Sequence, residues 1–300
     1  MSKLTEAIKQ LFWVSRPVSW VNTAYPFAAA YFVVSGRLDA TFWVGTLFFL
    51  IPYNLLMYGI NDVFDYESDL RNPRKGGIEG ALLDRRWHRL TLRAAILLCL
   101  PFLAYLVPAT IAQTGSFKTA AWMGVFVFLV LAYSAKGLRF KEVPILDSLT
   151  SASHFVGPMI VGLSAAGACF CNFSLQLIIW AFLLWGVASH AFGAVQDVRA
   201  DREAGIKSIA TKLGARATAR FAFAAYAVAA ALMFGVSWPG PLAAIAAVPY
   251  LVIVGPYLDL RDEDCEQANR GWRRFIWLNF FAGFVVTVLL VWPWLSSLAG

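Results

Sequence analysis

The stretch TFWVGTLFFLIPYNLLMYGINDVFDYESD, from Thr41 to Asp69, joins a long apolar run to a cluster of acidic residues. The run Thr41–Ile60 carries no charge and matches the roughly 20 residues that a helix needs to cross a bilayer. Comparable runs recur along the whole chain, in which 59% of the 300 residues are hydrophobic and 14% are charged. The sequence therefore predicts an all-α, polytopic membrane protein rather than a soluble one.

Nine transmembrane helices are predicted from these runs. They cover residues 18–35, 41–60, 94–113, 119–135, 146–166, 175–196, 218–237, 241–258 and 275–296. The expected arrangement is one domain over residues 1–300, a two-fold repeated bundle around a central cavity. The repeats run from about 17 to 135 and from about 146 to 258, and the ninth helix follows them. Residues 1–16 are predicted to form an amphipathic lead-in helix in the membrane interface.

The basic residues predict the orientation of this bundle. With nine spans, all of the 25 lysines and arginines except Arg37 and Lys118 fall at the N-terminus or in and next to loops on the same side. Positive loops face the cytoplasm, so we expect a multi-pass plasma-membrane protein with its N-terminus inside and its C-terminus outside. The net charge of +7 follows from this topology and suits contact with anionic membrane lipids. Nucleic acid is not an expected partner.

The acidic residues that follow the second span share one helical face. If the helix continues at about 100° per residue, Asn61, Asp62, Asp65 and Asp69 fall within an arc of about 100°. The predicted topology places this face at the cytoplasmic surface.

A second acidic ladder occurs in AVQDVRADREAG, after the sixth span. Asp197 follows Asp65 by 132 residues, and Asp201 follows Asp69 by the same distance. Each half of the predicted repeat therefore delivers a ladder to the same membrane surface. The four cysteines, by contrast, are interpreted as having no special role.

Carboxylates that converge from two helices repel one another unless a positive charge lies between them. Hard oxygen ligands at this density favour Mg²⁺, which completes its coordination with water and with substrate phosphate oxygens. Ca²⁺ is the rival ion, although the chain lacks an EF-hand-like spacing. An ordinary solvated helix face is the alternative without a ligand. The predicted metal ligands, also predicted to be catalytic, are Asp62, Asp65, Asp69, Asp197 and Asp201.

A third polar element, YSAKGLRFKEVP, follows the fourth span. Cations beside a carboxylate–metal cluster are suited to an oligophosphate, since Arg gives bidentate contacts and Lys a mobile point charge. The alternative is that these cations only mark the cytoplasmic side. Lys136 is predicted to be catalytic. The predicted diphosphate-binding residues are Asn61, Tyr133, Ser134, Arg139, Lys141, Lys207 and Arg71.

These motifs resemble those of the intramembrane, UbiA-type prenyltransferases. The resemblance rests on NDxxDxxxD at Asn61–Asp69, YSxxxRxK at Tyr133–Lys141 and DxxxD at Asp197–Asp201, in this order. Longer stretches, among them INDVFDYESDLRNPRKGGIEGALL, GAVQDVRADREA and EQANRGW, are similar to those of bacterial lycopene elongases. The chain departs from the broader family at Gly205, where many members have a third acid, and this leaves the number of metal ions open.

The resemblance implies a function in fifty-carbon carotenoid biosynthesis. Dimethylallyl diphosphate would bind through Mg²⁺ to the two ladders, with Asn61 helping to orient it. Lys136, Arg139 and Lys141 would stabilise the charge on the departing diphosphate. The five-carbon group would then pass to an end of lycopene, or of another hydrophobic acceptor, with either proton loss or water capture. A downstream carotenoid cyclase is left open as a partner.

Polar residues deeper in the predicted helices are candidates for an acceptor and cation pocket. They are Asn22, Tyr25, Asn54, His154 and His190. An ionisable residue within a span suggests a functional role, so each histidine is a candidate for the final proton acceptor. The alternative for the whole set is helix packing.

Two further functions compete with lycopene elongation. One is prenylation of an aromatic or quinone precursor by the same chemistry. The other, from a different class, is an ion-coupled transporter. Transporters place their coupling acids near the bilayer midplane on interrupted helices, whereas the acidic motifs here lie at predicted cytoplasmic helix ends.

Overall fold

The computed structural model describes residues 3–70 and 82–298, and every regular element within these residues is a helix. This confirms the all-α class, and each of the nine predicted apolar segments overlaps a helix in the described part of the chain. By length and composition, four described stretches could cross a membrane, or five if the bent pair Asp262–Phe275 and Trp277–Trp292 forms one span. The four are Ala40–Phe64, Arg85–Thr114, Phe173–Val195 and Gly240–Tyr257. The count of nine spans therefore stays a prediction.

The chain divides into two compact units. The first consists of Met1–Phe140 with Gly157–Ala168, and the second of Lys141–Val156 with Cys169–Gly300. The helices of the first unit are α1 (Lys3–Val14), α2 (Val21–Ser35), α3 (Ala40–Leu50), α4 (Pro52–Phe64), α5 (Tyr66–Asp69), α6 (Arg85–Thr114) and α7 (Lys118–Ser134). Helix α8 (Leu146–Ala165) contributes residues to both units. The helices of the second unit are α9 (Phe173–Val195), α10 (Val198–Glu203), α11 (Ile209–Leu213), α12 (Ala215–Met233), α13 (Val248–Val254) and α14 (Asn269–Leu298).

Aromatic side chains fill the core of the first unit. Phe27 of α2 lies with its ring centroid 5.2 Å from that of Phe49 of α3, and both side chains are buried. Gly45 is required at this contact because a Cβ there would lie 2.1 Å from Cζ of Phe27. The absence of a side chain thus lets α2 and α3 pack closely.

The break between α3 and α4 falls at Pro52, which has no N–H to donate to a preceding turn. Carbonyl groups before the break need other donors. Asn54 supplies them, because its Nδ2 lies 2.8 Å from the carbonyl oxygen of Phe49 and 3.1 Å from that of Leu50. The Thr23 hydroxyl also donates to Phe49, at 2.7 Å. These bonds leave the two carbonyl groups satisfied at the break in the long apolar segment.

Small residues form the main helix contact of the second unit. Ala215, Ala219 and Ala222 are fully buried along α12, which packs against α9. Ala188 and Ala191 of α9 are also fully buried. Small side chains allow close approach of helix backbones, and this is a common way for membrane helices to pack.

Helix α1 agrees with the predicted lead-in helix in its length and in its apolar face. Leu4, Ile8 and Phe12 remain exposed, whereas Val14 at its end is buried. A helix of this kind suits the membrane interface, which stays a prediction.

Two cysteines contradict the interpretation that none has a special role. Cys169 and Cys171 form a disulfide in the connection between α8 and α9. Cys99 and Cys265 are buried free thiols in the described part of the chain. A spacing of two residues carries little sequence signal for a disulfide, so only the folded connection reveals it.

Candidate active site

The first acidic motif lies at an interruption of the helix. Helix α4 ends at Phe64, Asp65 adopts φ −100° and ψ 1°, and α5 begins at Tyr66. The prediction of one continuous helix is therefore wrong at Asp65. Helical hydrogen bonds nevertheless run from the Asp65 amide to the Asn61 carbonyl and from the Asp69 amide to the Asp65 carbonyl, at 2.9 and 2.8 Å.

Burial distinguishes these acids from a solvated helix face. Asp62, Asp65 and Asp69 are 1%, 8% and 7% exposed. Carboxylates this deeply buried require nearby positive charge or hydrogen-bond donors to remain ionised. The interpretation as an ordinary solvated face is thus excluded for the first motif.

The first acidic motif and the basic motif meet in the first unit. Nδ2 of Asn61 lies 2.7 Å from Oδ2 of Asp65 and 2.9 Å from the hydroxyl oxygen of Ser134. On the other side of the carboxylate, Nη2 of Arg139 lies 3.6 Å from Oδ1 of Asp65. Arg139 has φ 43°, in the left-handed region, which costs energy for a residue with a side chain. Such strain is commonly found where a side chain must be placed for function.

The other predicted diphosphate-binding residues differ in exposure. Tyr133 and Lys141 are half-buried, and Lys136 and Lys207 are exposed. Arg71 lies outside the described residues.

Asp62 has a partner that the sequence did not indicate. Nη2 of Arg16 lies 2.7 Å from Oδ1 of Asp62, and the guanidinium carbon lies 4.2 Å from the ring centroid of Tyr58. Burial by itself lowers the pKa of Arg16, but the negative charge and hydrogen bond of Asp62, together with the smaller effects of Tyr58 and Asp69, outweigh burial, so the pKa is raised. Sequence reasoning missed this pair because 46 residues separate its members. The only local signal was an arginine next to Pro17, at the end of the lead-in segment.

The second acidic motif repeats the local design of the first. Helix α9 ends at Val195, Asp197 precedes α10, and the Asp201 amide donates to the Asp197 carbonyl at 2.8 Å. Both acids are half-buried. Each motif thus has its first matched acid, Asp65 or Asp197, at a helix interruption.

A residue of α14 fixes the start of the second motif. Nδ2 of Asn269 donates to Oε1 of Gln196 at 2.5 Å, and Gln196 is 5% exposed. Gln196 directly precedes the second ladder in the sequence, but the sequence assigned no role to Asn269. The signal available was EQANRGW, a stretch that resembles the family without revealing its contact.

The predicted pocket residues lie in different surroundings. Nδ1 of His190 lies 3.0 Å from the Ser148 hydroxyl, whereas His154 is 3% exposed. Asn22 and Tyr25 are half-buried on α2. Asn54 is fully buried and bonded to the break before α4, so the structure gives it a structural role there.

The grouping of potential metal-ligating side chains determines how a metal could bind. Among the described residues, no three side chains of Asp, Glu, His or Cys come close enough together to hold a metal ion. Mg²⁺ typically uses one or two carboxylates together with water and substrate phosphates. Buried carboxylates such as those of Asp65 and Asp69 are compatible with an ion that completes its coordination with water and phosphate oxygens.

The helical fold and these motifs define a membrane prenyltransferase. A profile of the UbiA prenyltransferase family matches residues 23–281, so the chain belongs to this family.

Individual proteins of similar sequence or structure give a more specific comparison than the family profile. The chain is 56% identical over 94% of its length to the C(50) beta-cyclic carotenoids biosynthesis protein LbtBC of Dietzia sp. (strain CQ4), but spans only 64% of that protein. It is 46% identical to a lycopene elongase/hydratase of Corynebacterium glutamicum, covering 96% of this chain and 98% of that one. A UbiA homolog from Archaeoglobus fulgidus, solved bound to DMAPP and Mg²⁺, shares the fold. Its TM-score is 0.65 at 21% identity, over 92% of this chain and 99% of that one.

Proposed function

We propose that this protein transfers five-carbon prenyl groups from dimethylallyl diphosphate to the ends of lycopene, in a Mg²⁺-dependent reaction. The observation that carries this proposal is the position of the Asp65 carboxylate, held by Asn61 and facing Arg139. A fixed carboxylate next to a cation is suited to a metal–diphosphate complex, in which both signs of charge must be matched. The name of the Corynebacterium relative supports lycopene as the acceptor, and the name of the Dietzia relative supports a role in C50 carotenoid biosynthesis.

The acids of the two motifs would hold the metal, and the basic residues would hold the diphosphate. The proposed metal ligands are Asp65, Asp69, Asp197 and Asp201. When bound, Mg²⁺ supplies charge neutralisation for the diphosphate oxygens. Arg139, Lys136, Lys141, Lys207 and Arg71 would neutralise the remaining charge, and Tyr133 and Ser134 would add hydroxyl donors.

The chemistry follows from this placement. The bond between the allylic carbon and the diphosphate oxygen breaks, and the electron pair leaves with the diphosphate. A terminal double bond of lycopene donates its π electrons to the allylic cation and forms the new carbon–carbon bond. The resulting cation loses a proton, or captures water that then loses a proton, which agrees with relatives named elongase/hydratase. Asn22 and Tyr25 would line the acceptor pocket, and His154 or His190 would accept the proton.

Nine membrane spans with a cytoplasmic N-terminus are the topology that we propose for this reaction. The active site would then face the cytoplasm, where dimethylallyl diphosphate is soluble. The Cys169–Cys171 disulfide supports this orientation, because it would lie on the outer side, where disulfides persist.

Pigment analysis of lycopene-producing bacterial cells tests the proposal. Cells that express this chain should accumulate carotenoids heavier by one and two five-carbon units. Asp65→Asn should abolish them, because an amide cannot replace a carboxylate as metal ligand. Asp259→Asn is the matched control, since Asp259 is an exposed acid that pairs with Arg220 on the surface. Unchanged lycopene with inserted wild-type protein would contradict the proposed acceptor.

A further inference from the structure

Arg16 and Asp62 form an ion pair whose acidic member is completely buried. The exposed fractions of the two side chains are 18% and 0%. The distance of 2.7 Å between Nη2 and Oδ1 is that of a charge-assisted hydrogen bond. The ring of Tyr58 covers the guanidinium at 4.2 Å, so a third side chain fixes its orientation.

The backbone around Arg16 is built to hold this side chain. Arg16 has φ 51°, in the left-handed region that residues other than glycine rarely adopt. On one side, Ser15 is buried, and its carbonyl accepts from Nε1 of Trp20 at 3.0 Å. On the other side, Pro17 begins a short helical turn. The strained conformation therefore lies between two fixed points rather than in a loose terminus.

The Arg16–Asp62 pair offsets part of the negative charge of the first acidic motif. Asp62, Asp65 and Asp69 are three buried acids within eight residues of sequence. Asp65 faces Arg139 at 3.6 Å, and Arg16 offsets the charge of Asp62. Nε of Arg16 is buried and has no hydrogen-bond acceptor among the described residues, so its bonding capacity is not exhausted by Asp62.

We propose that Asp62 is the counter-ion of Arg16 and not a metal ligand, and that Arg16 is a positioning residue of the first acidic motif. This inference rests on the proposed function and revises the role that the sequence suggested for Asp62. The pair adds no net charge to the motif and leaves Asp65 and Asp69 to act on the metal–diphosphate complex. Arg16 is thereby held in a fixed position, with its charge matched by Asp62.

A double-mutant cycle distinguishes a counter-ion from a ligand. Arg16→Gln removes the positive charge that lies 2.7 Å from the buried Asp62 carboxylate, so the motif gains net negative charge and repels diphosphate. Asp62→Asn leaves Arg16 without its partner. The combined variant R16Q/D62N replaces the ion pair with a neutral pair of similar shape. If the two residues act on each other, the double variant will bind diphosphate better than R16Q.

The readout is thermal stabilisation of the purified full-length protein by Mg²⁺ with inorganic diphosphate. We expect R16Q to weaken the apparent affinity by about tenfold or more, and the double variant to recover most of this loss. Asp62→Asn alone should retain measurable binding, whereas Asp65→Asn should abolish it. Adding R16Q to D65N should restore nothing, which is the control for a specific pair.

Two results would overturn the inference: a double variant that binds no better than R16Q, or a D62N variant as deficient as D65N. If R16Q does not fold, Arg16→Lys keeps the charge but loses the second guanidinium nitrogen. It should then bind about three- to tenfold more weakly than wild type, and wild-type affinity would also overturn the inference. Failure of the wild-type protein to bind Mg²⁺ with diphosphate would instead contradict the proposed function.

Discussion

Asn61 lies between Asp65 and Ser134, with its Nδ2 2.7 Å from the carboxylate oxygen and 2.9 Å from the hydroxyl oxygen. One amide nitrogen thus joins two motifs that are 73 residues apart in the sequence. An amide is needed at this position because only its NH₂ group offers two donors in one side chain of this size.

Asn61→Asp tests this requirement. The substitution removes both donors and places a second carboxylate next to Asp65, so the two anions repel each other. We expect turnover of dimethylallyl diphosphate in membranes to fall by about 10²-fold, the usual effect of losing a preorganised donor. Asn172→Asp is the matched control, because Oδ1 of Asn172 accepts from the Leu175 amide and an aspartate can do the same. Near wild-type turnover of Asn61→Asp would show that the donors are dispensable.

Arg139→Gln should act on substrate affinity. The guanidinium lies 3.6 Å from Asp65, and its charge is expected to contact the diphosphate. Its loss should raise KM for dimethylallyl diphosphate by about tenfold or more, because a neutral amide cannot offset phosphate charge. Arg220→Gln removes an exposed ion pair with Asp259 and should leave KM unchanged. Equal KM values for the two variants would contradict a role for Arg139 in diphosphate binding.

Part of this site could be predicted from the sequence. Apolar runs and the 132-residue spacing of the ladders depend on local pattern, and the corresponding helices are present in the structure, whereas the interruption at Asp65 was not predicted. The sequence predicted that Ser134, Arg139 and the first motif would bind the same diphosphate, but it did not predict direct contacts between them. The hydrogen bond from Asn61 to Ser134 depends on the packing of α4 against α7.

Other features could not be predicted because they are set by distant partners. Arg16 had no local feature that assigned it to Asp62, and Asn269 none that assigned it to Gln196. Asn54 was predicted as a pocket candidate, with helix packing as the alternative, because the sequence did not reveal the break at Pro52. In the structure its amide donates to the carbonyl groups of Phe49 and Leu50 before this break. A polar residue within an apolar run can thus compensate for an irregular backbone as readily as it can line a pocket.

Asp147 should contribute to stability. It is fully buried, and its two oxygens accept from the amides of Ser148 and Ile209 at 2.8 and 2.7 Å. Asp147→Ala leaves both donors unsatisfied and should cost about 2–4 kcal/mol, visible as a lower Tm in detergent. Asp84→Ala is the comparison, because Asp84 caps α6 from an exposed position and should cost about 1 kcal/mol. Equal losses would indicate that the buried bonds add nothing beyond an ordinary cap.

The orientation of the chain can be tested at the Cys169–Cys171 disulfide. In intact cells, a protein whose other cysteines are replaced by alanine should react with a membrane-impermeant maleimide only after an impermeant reductant is added. The reason is that the α8–α9 connection lies outside in the proposed topology, and reduction exposes its thiols.

In a background with all four native cysteines replaced, the exposed positions Ser237 and Lys212 serve as controls. Ser237→Cys, on the same proposed side, should react without reduction, and Lys212→Cys only after lysis. Reaction of the native pair only after lysis would place this connection in the cytoplasm and invert the proposed topology. The acidic motifs would then face away from the cytoplasmic diphosphate pool.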